Sequence, residues 1–266
     1  MDIGLYFEKE NRFVLIAGPC VVESKTLLEE VAGPMCLLTK QLGIPYVFKA
    51  SYKKANRSSH SSFSGIGDLQ ALQYLHEIRQ KYQVPILTDV HSPEECEMAS
   101  YYTDILQIPA FLCRQTELLV AAGKTGLWVN IKKGQFLSPE AMSFAIDKVR
   151  STGNDQILAT ERGSCFGYRD LIVDFRSIPI MQSLGVPVIM DCTHSVQQPN
   201  QSGGITGGTP QHISTMAKAA IATGANGIFI ETHPRPYEAL SDGANMLPQH
   251  QMEDLLIRLL RIKEAL

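Results

Sequence analysis

The sequence has no cysteine pair at C-x-x-C spacing, no apolar run long enough to cross a membrane, and little net charge. Each absence removes a class of protein. The six cysteines, Cys20, Cys36, Cys96, Cys113, Cys165 and Cys192, are scattered through a 266-residue chain that is 44% hydrophobic. A core of that size does not need disulfides, so reduced thiols packed as small hydrophobes, in the cytoplasm, are expected. No segment approaches the roughly 20 apolar residues of a membrane helix, so no membrane partner is expected. The opening "MDIGLYFEKENRF" lacks a basic stretch followed by an apolar core and does not read as a secretory signal. A formal net charge of −3 argues against a general nucleic-acid surface and makes any basic site a local one. The first β-like run leads into "AGPCVVES", not into the glycine-rich turn of a dinucleotide fold. No linker or charge block divides the chain, which reads as one domain over residues 1–266.

What is present is alternation. Short β-like runs occupy 12–18, 46–51, 85–90, 105–110, 128–133, 157–162, 186–194 and 227–233. Amphipathic stretches with helical spacing lie between them, such as "DLQALQYLHEIRQKY" (68–82) and "SPEAMSFAIDKVRS" (138–151). "SPEE" (92–95) and "SPEA" (138–141) each place a capping Ser before a Pro at the first helical position. Eight such repeats predict an α/β fold, a single (β/α)8 TIM barrel with a short N-terminal extension. The extension is expected to form a small hairpin closing the barrel bottom. A doubly wound open sheet is the structural alternative.

Barrel enzymes build their sites at the C-terminal ends of the strands. The polar residues closing the eight runs are Cys20, Lys49, Asp89, Gln107, Lys132, Arg162, His194 and Glu231. One polar strand end is uninformative, but eight favour a polar site over a structural rim. Lys49, Lys132 and Arg162 form a cationic arc with the loop "KKANRSSHSSFSG" (53–65), which adds Lys53, Lys54, Arg57 and a row of serines. Isolated basic residues are usually solvated. Converging on a barrel mouth beside hydroxyls, they suit phosphate or carboxylate groups. Period-two alternation puts Asn130 and Lys132 on one face, with Lys133 pointing outward, and Cys192 on the face of His194. Closure makes the eighth strand the neighbour of the first, so Cys20, His194 and Glu231 come from adjacent strand ends, with Asp242 in the next loop. Thiolate, imidazole and two carboxylates make a site for a divalent first-row metal such as Fe²⁺, Zn²⁺ or Mn²⁺. The plainer reading is a buried thiol, a core histidine and two surface acids. Trp128 reads as barrel packing, and His60, His76, His212 and His250 as surface or loop residues. The glycine-rich stretch 195–210 is either a mobile loop over the mouth or ordinary surface.

"IAGPCVVES", "KANRSS", "LQIPAFLCRQT", "VNIKKGQF", "TERG", "FGYRDLIVDFRS", "DCTHSVQ", "IETHP" and "LSDGANML" occur in this order over nearly the whole chain. Together they resemble the 3-deoxy-D-manno-octulosonate 8-phosphate synthases. The resemblance implies condensation of phosphoenolpyruvate with D-arabinose 5-phosphate, in a cytoplasmic homotetramer serving synthesis of the lipopolysaccharide sugar Kdo. It implies that Lys49, Lys54, Gln107, Lys132 and Arg162 meet phosphoenolpyruvate. Asn56 would meet a pentose hydroxyl, and Arg57 with Ser58 the pentose phosphate. Arg114 would reach the sugar phosphate of a neighbouring subunit. Catalytic roles fall to Lys54, Asp89, Lys132, His194 and Asp242, with Asp89 and Asp242 as proton-handling candidates. A Cys at position 20, where the metal-independent branch has Asn, points to the metal-dependent branch, with Cys20, His194, Glu231 and Asp242 as ligands. The related synthase that uses erythrose 4-phosphate carries a "KPRTS"-like loop where this chain has "KANRSS", and is the alternative reading within enzymes. A non-catalytic phosphosugar-binding barrel is the alternative outside them.

Overall fold

The computed structural model describes residues 2–7, 12–55, 62–168, 170–198 and 207–266. Asn56, Arg57 and Ser58 lie outside the described residues, as do 199–206 of the glycine-rich stretch.

Eight strands, β1 (Val14–Gly18), β2 (Tyr46–Lys49), β3 (Ile86–Asp89), β4 (Ile105–Ile108), β5 (Trp128–Lys132), β6 (Ile157–Glu161), β7 (Val188–Asp191) and β8 (Gly227–His233), run parallel in sequence order. β8 pairs back onto β1, from Val14 with Gly227 to Gly18 with Glu231, and the barrel closes. Nearly every strand residue is buried, because helices cover the outside and side chains fill the inside. That is why the runs read as almost continuous Val, Ile and Leu. Gly18 has a steric reason: a Cβ there would lie 2.0 Å from the Lys49 carbonyl oxygen of β2.

Helices α1 (Gly4–Phe7), α2 (Lys25–Leu42), α3 (Asp68–Tyr82), α4 (Pro93–Ser100), α5 (Thr116–Lys124), α6 (Met142–Arg150), α7 (Ser177–Gln182), α8 (Ile213–Ala222) and α9 (Met252–Glu264) accompany them. α4 starts as the sequence predicts: Pro93 is its first residue, and the Ser92 hydroxyl accepts from the Glu95 amide at 3.4 Å. At 138–141 the cap forms but the α-helix does not follow at once. Ser138 Oγ accepts from the Ala141 amide, and three i→i+3 bonds, Met142 to Pro139, Ser143 to Glu140 and Phe144 to Ala141, lead into the first α-turn. The tighter turn delays α6 to Met142.

The N-terminal extension differs from the expected hairpin. Gly4–Phe7 is a single helical turn capped by Asp2, whose carboxylate accepts from the Gly4 amide. It packs Ile3, Tyr6 and Phe7 beneath the barrel, against Trp128 and an interior layer of Val14, Ile16, Val47, Leu87, Ile105, Ile189 and Phe229. The turn closes the bottom with Tyr6 and Phe7, together with Ile3 just before it, and needs no strand partner. The larger core lies between the strands' outer faces and the helices. No helix among the described residues is long and apolar enough to cross a membrane.

Candidate active site at the C-terminal mouth

Above the apolar layer, the inward positions turn polar on nearly every strand: Lys49, Asp89, Gln107, Asn130 and Lys132, Thr160, Asp191 and Glu231, all buried. Arg162, one residue past β6, is 6% exposed. Polar groups this deep need partners, and they find them along two chains of hydrogen bonds.

The first chain links β2 through β6. Ser51 Oγ and Gln107 Nε2 both donate to Asp89 through short contacts. Asn130 Nδ2 donates to Gln107 Oε1 at 2.8 Å, and Thr160 Oγ1 to Asn130 Oδ1 at 2.6 Å. An ionised Asp89 can only accept, so it fixes the direction of every donor along the line. Burial alone would raise the Asp89 pKa, but Lys49, Lys54 and Lys132 outweigh it and hold the carboxyl well below its ordinary range.

The second chain carries the charges. Lys49 Nζ donates to Glu231 Oε1 at 2.6 Å and to the Cys20 carbonyl at 3.1 Å. Lys54 Nζ stands 4.0 Å from the same Glu231 oxygen. Lys132 Nζ donates to Asp191 Oδ2 at 2.6 Å and lies 4.1 Å from the centroid of the Phe229 ring. Burial pulls the Lys54 pKa down, yet Cys20, Glu231, Asp89 and Asp242 more than compensate and raise it. For Lys132 burial prevails over Asp191, and its pKa falls. Burial also lowers that of Arg162, which donates to Gln197 Oε1 at 3.2 Å.

Cys20, Glu231 and Asp242 bring ligand atoms within 4.8 Å of one another. His194 stands at the edge of this group, with Nε2 3.7 Å from Glu231 Oε1. Cys20 Sγ donates to Asp242 Oδ2 at 3.3 Å and contacts Ser241 Oγ at 3.0 Å. Burial, then Glu231, pushes the thiol pKa far up, while the lysines and His194 draw that of Glu231 down against its burial. Asp242 holds a left-handed conformation (φ 51°) that turns its loop at the cluster.

Several expectations need correction. Lys53 does not join the arc; its ammonium is held by Glu95 at 2.6 Å and Asp68 at 3.2 Å. β7 ends at Asp191, and His194 opens a 3-10 turn, His194–Val196, so alternation does not extend to it. Cys192 therefore does not share the face of His194; it packs into the outer core as the buried thiol expected of these cysteines. Lys133 points out of the barrel as predicted but is 1% exposed. Arg114 is exposed, with no side-chain ion pair among the described residues. Sequence reasoning missed Asp191, Ser51, Thr160 and Ser241. Asp191 was within reach, being two residues past the inward Ile189 of β7.

A closed parallel barrel with a buried, charged mouth at its strand C-termini is the architecture of the (β/α)8 enzymes. Residues 4–266 match the model of the DAHP synthetase I family. A protein of Desulfotalea psychrophila is 50% identical over 252 residues, covering 95% of this chain and 90% of its own. One of Granulibacter bethesdensis is 51% identical over 253 residues with the same coverage, and one of Brucella ovis 49% identical over 263 residues, 98% of this chain and 95% of its own. All three are named 2-dehydro-3-deoxyphosphooctonate aldolase. The chain belongs to the DAHP synthetase I family and, within it, to the group of these aldolases.

Proposed function

We propose that this protein condenses phosphoenolpyruvate with D-arabinose 5-phosphate and water, giving 3-deoxy-D-manno-octulosonate 8-phosphate and phosphate. It would do so as a cytoplasmic homotetramer with one divalent metal per site. The observation that carries the reading is the convergence, in one mouth, of four basic side chains with a thiol and two carboxylates. The names of the relatives supply the reaction.

Both substrates are anions, and their mutual repulsion opposes the encounter. Lys49, Lys54, Lys132 and Arg162 offset that repulsion and hold the phosphate and carboxylate of phosphoenolpyruvate. Lys49, Lys132 and Arg162 are buried and Lys54 nearly so, which strengthens their attraction for an anion. C3 of the enol phosphate then attacks the open-chain aldehyde carbon, whose oxygen takes up a proton, while water adds at C2 and gives one up. The tetrahedral product loses phosphate by C–O cleavage. Asp89, fixed by Ser51 and Gln107, presents an ionised carboxylate to the sugar hydroxyls. Asp242 is the carboxylate we assign to take a proton from the attacking water. Arg114, exposed on this chain, is the residue we assign to a neighbouring subunit's site in the tetramer.

The residues fit a metal. Glu231 Oε2 is buried and has no hydrogen-bond partner among the described residues, while the Cys20 thiol and the Asp242 carboxylate lie within 4.8 Å of the Glu231 carboxylate and His194 Nε2 lies 3.7 Å from its other oxygen, Oε1. A buried carboxylate oxygen left bare is costly, and a cation satisfies it. Cys20, His194, Glu231 and Asp242 would hold the ion, and the donor set suits Fe²⁺, Zn²⁺ or Mn²⁺. When bound, it supplies Lewis acidity that polarises the aldehyde.

The test is phosphate release from phosphoenolpyruvate with arabinose 5-phosphate, before and after dialysis against a chelator. Loss of activity, restored by a divalent metal, is expected. Release with erythrose 4-phosphate instead would transfer the chain to the other synthase of its family.

A further inference from the structure

We infer that Asp191 couples the two halves of this site, so that metal binding and phosphoenolpyruvate binding strengthen one another through a single carboxylate oxygen. The inference rests on the function proposed above. Asp191 is fully buried, and its two oxygens have separate duties. Oδ1 accepts from the Thr193 and His194 amides at 3.1 and 2.8 Å, which fixes the turn after β7 and the carboxylate plane with it. Oδ2 accepts from Lys132 Nζ at 2.6 Å and from His194 Nδ1 at 2.9 Å. Among the described residues it is the sole hydrogen-bond acceptor of Lys132 Nζ. The carboxylate cannot rotate to serve its two side-chain donors from different oxygens. Both share one oxygen, and each bond to it weakens the other.

That competition has a direction. A carboxylate at Nδ1 makes this nitrogen the donor and leaves the Nε2 lone pair toward Glu231, 3.7 Å away, where a cation would sit. A cation on Nε2 draws electron density from the ring and strengthens the Nδ1–H bond to Oδ2. Oδ2 then holds Lys132 less firmly, and the ammonium is released toward an anion in the mouth. In reverse, phosphoenolpyruvate draws Lys132 away and leaves Oδ2 to His194, which improves the imidazole as a ligand. Linkage requires the two effects to be equal. Asp191 is a positioning residue in this account: it touches neither substrate nor metal.

The test measures binding, not turnover. Phosphoenolpyruvate is titrated calorimetrically into Zn²⁺-loaded and metal-stripped protein, and Zn²⁺ affinity is measured by competition with a chromophoric chelator, with and without phosphoenolpyruvate. The expected result is at least fivefold tighter phosphoenolpyruvate binding in the loaded form, with the same factor for Zn²⁺. Asp191→Asn keeps an oxygen for the two amides but replaces the shared acceptor with a donor. It should weaken Zn²⁺ binding by roughly 10–100-fold and cut the coupling factor at least threefold. Equal affinities in the two wild-type forms overturn the inference, as does undiminished coupling in Asp191→Asn. If that variant does not fold, the His194 Nδ1 proton resonance of the Zn²⁺-loaded wild type is followed instead. A downfield shift on adding phosphoenolpyruvate supports the inference, and an unmoved resonance overturns it. No sugar is present, so a wrong acceptor assignment leaves this test intact; a wild-type protein that binds neither ligand sinks both readings.

Discussion

Lys133→Met should cost this barrel a large part of its stability, and the structure says how much. Lys133 and Glu161 are 1% and 2% exposed at the side chain, with Nζ 3.4 Å from Oε1. Lys133 also donates to the Leu137 carbonyl and to Ser164 Oγ, while Glu161 Oε1 accepts from the Arg162 and Gly163 amides at 2.9 and 2.6 Å. At an effective dielectric of about 20, two charges at this separation attract by about 5 kcal/mol before desolvation is counted. Removing one partner strands the other charge in the interior, and such variants lose roughly 3–5 kcal/mol. Methionine replaces the aliphatic stem, so lost packing adds little, and the two amides still solvate Glu161 in part. The expected loss is therefore about 3 kcal/mol, from a total of roughly 5–15 kcal/mol. The double variant Lys133→Met, Glu161→Gln has no stranded charge and should recover at least about 1.5 kcal/mol. Urea unfolding followed by circular dichroism and by fluorescence of Trp128, the only tryptophan, measures both and checks that the two probes agree. The KM for phosphoenolpyruvate should rise as well, because the pair frames Lys132 and Arg162. A single variant within about 1 kcal/mol of wild type, or a double variant no better than the single, refutes the reasoning.

Cys20→Ala should lower bound metal to less than about a tenth of that in the wild type by elemental analysis; undiminished metal removes Cys20 from the ligand set. Burial lowers the Lys132 pKa, so kcat/KM for phosphoenolpyruvate should fall on the alkaline side at a pH below the ordinary lysine value of about 10.4. Lys132→Arg, which does not titrate there, should move that limb upward, and an unmoved limb assigns it elsewhere. Glu95 is held down to about 2, with burial opposed by bonds from His91, Lys53 and Tyr52. Its folded pKa is depressed, so its contribution is present above the unfolded value of about 4.3 and is lost as pH falls through about 2. Glu95→Gln should flatten the stability–pH curve in that window, and an unchanged slope contradicts the assignment. Gly18→Ala places a methyl group 2.0 Å from the Lys49 carbonyl oxygen and should yield insoluble protein; a soluble, active variant would mean β1 and β2 separate more easily than their pairing implies.

The barrel was legible because two periodicities alternate cleanly. Each of the eight expected runs contains its observed strand, and α3 matches its predicted span of 68–82. The mouth was legible because barrels put function at strand ends, which reduces a search over the chain to eight positions. What failed depends on where a strand stops. Reading the seventh strand through His194 hid Asp191 and gave Cys192 a shared face with His194, though Cys192 is the buried thiol expected of these cysteines. The true end is set by Asp191 itself, whose Oδ1 captures the next two free amides and starts the 3-10 turn. A side chain that ends its own strand leaves no mark in hydrophobic periodicity. The N-terminal turn was missed for a related reason: four residues are too few to show a period.

The two adjacent lysines carry the more general argument. Alternation sends Lys132 inward and Lys133 outward, and the structure agrees. Outward in a parallel barrel does not mean solvated, since helices and loops cover the outer face. A lysine on either face must therefore find a carboxylate. Lys132 takes Asp191 across the interior, and Lys133 takes Glu161 on the neighbouring strand. The sequence displays both acids, but in-strand acids look like polar interruptions until the barrel is closed and each is seen facing a cation. The same logic accounts for Glu231, claimed at one oxygen by Lys49 and bare at the other. In this mouth Lys49 and Lys132 each hold a carboxylate, and the Glu231 oxygen left bare among the described residues marks where a further cation is wanted.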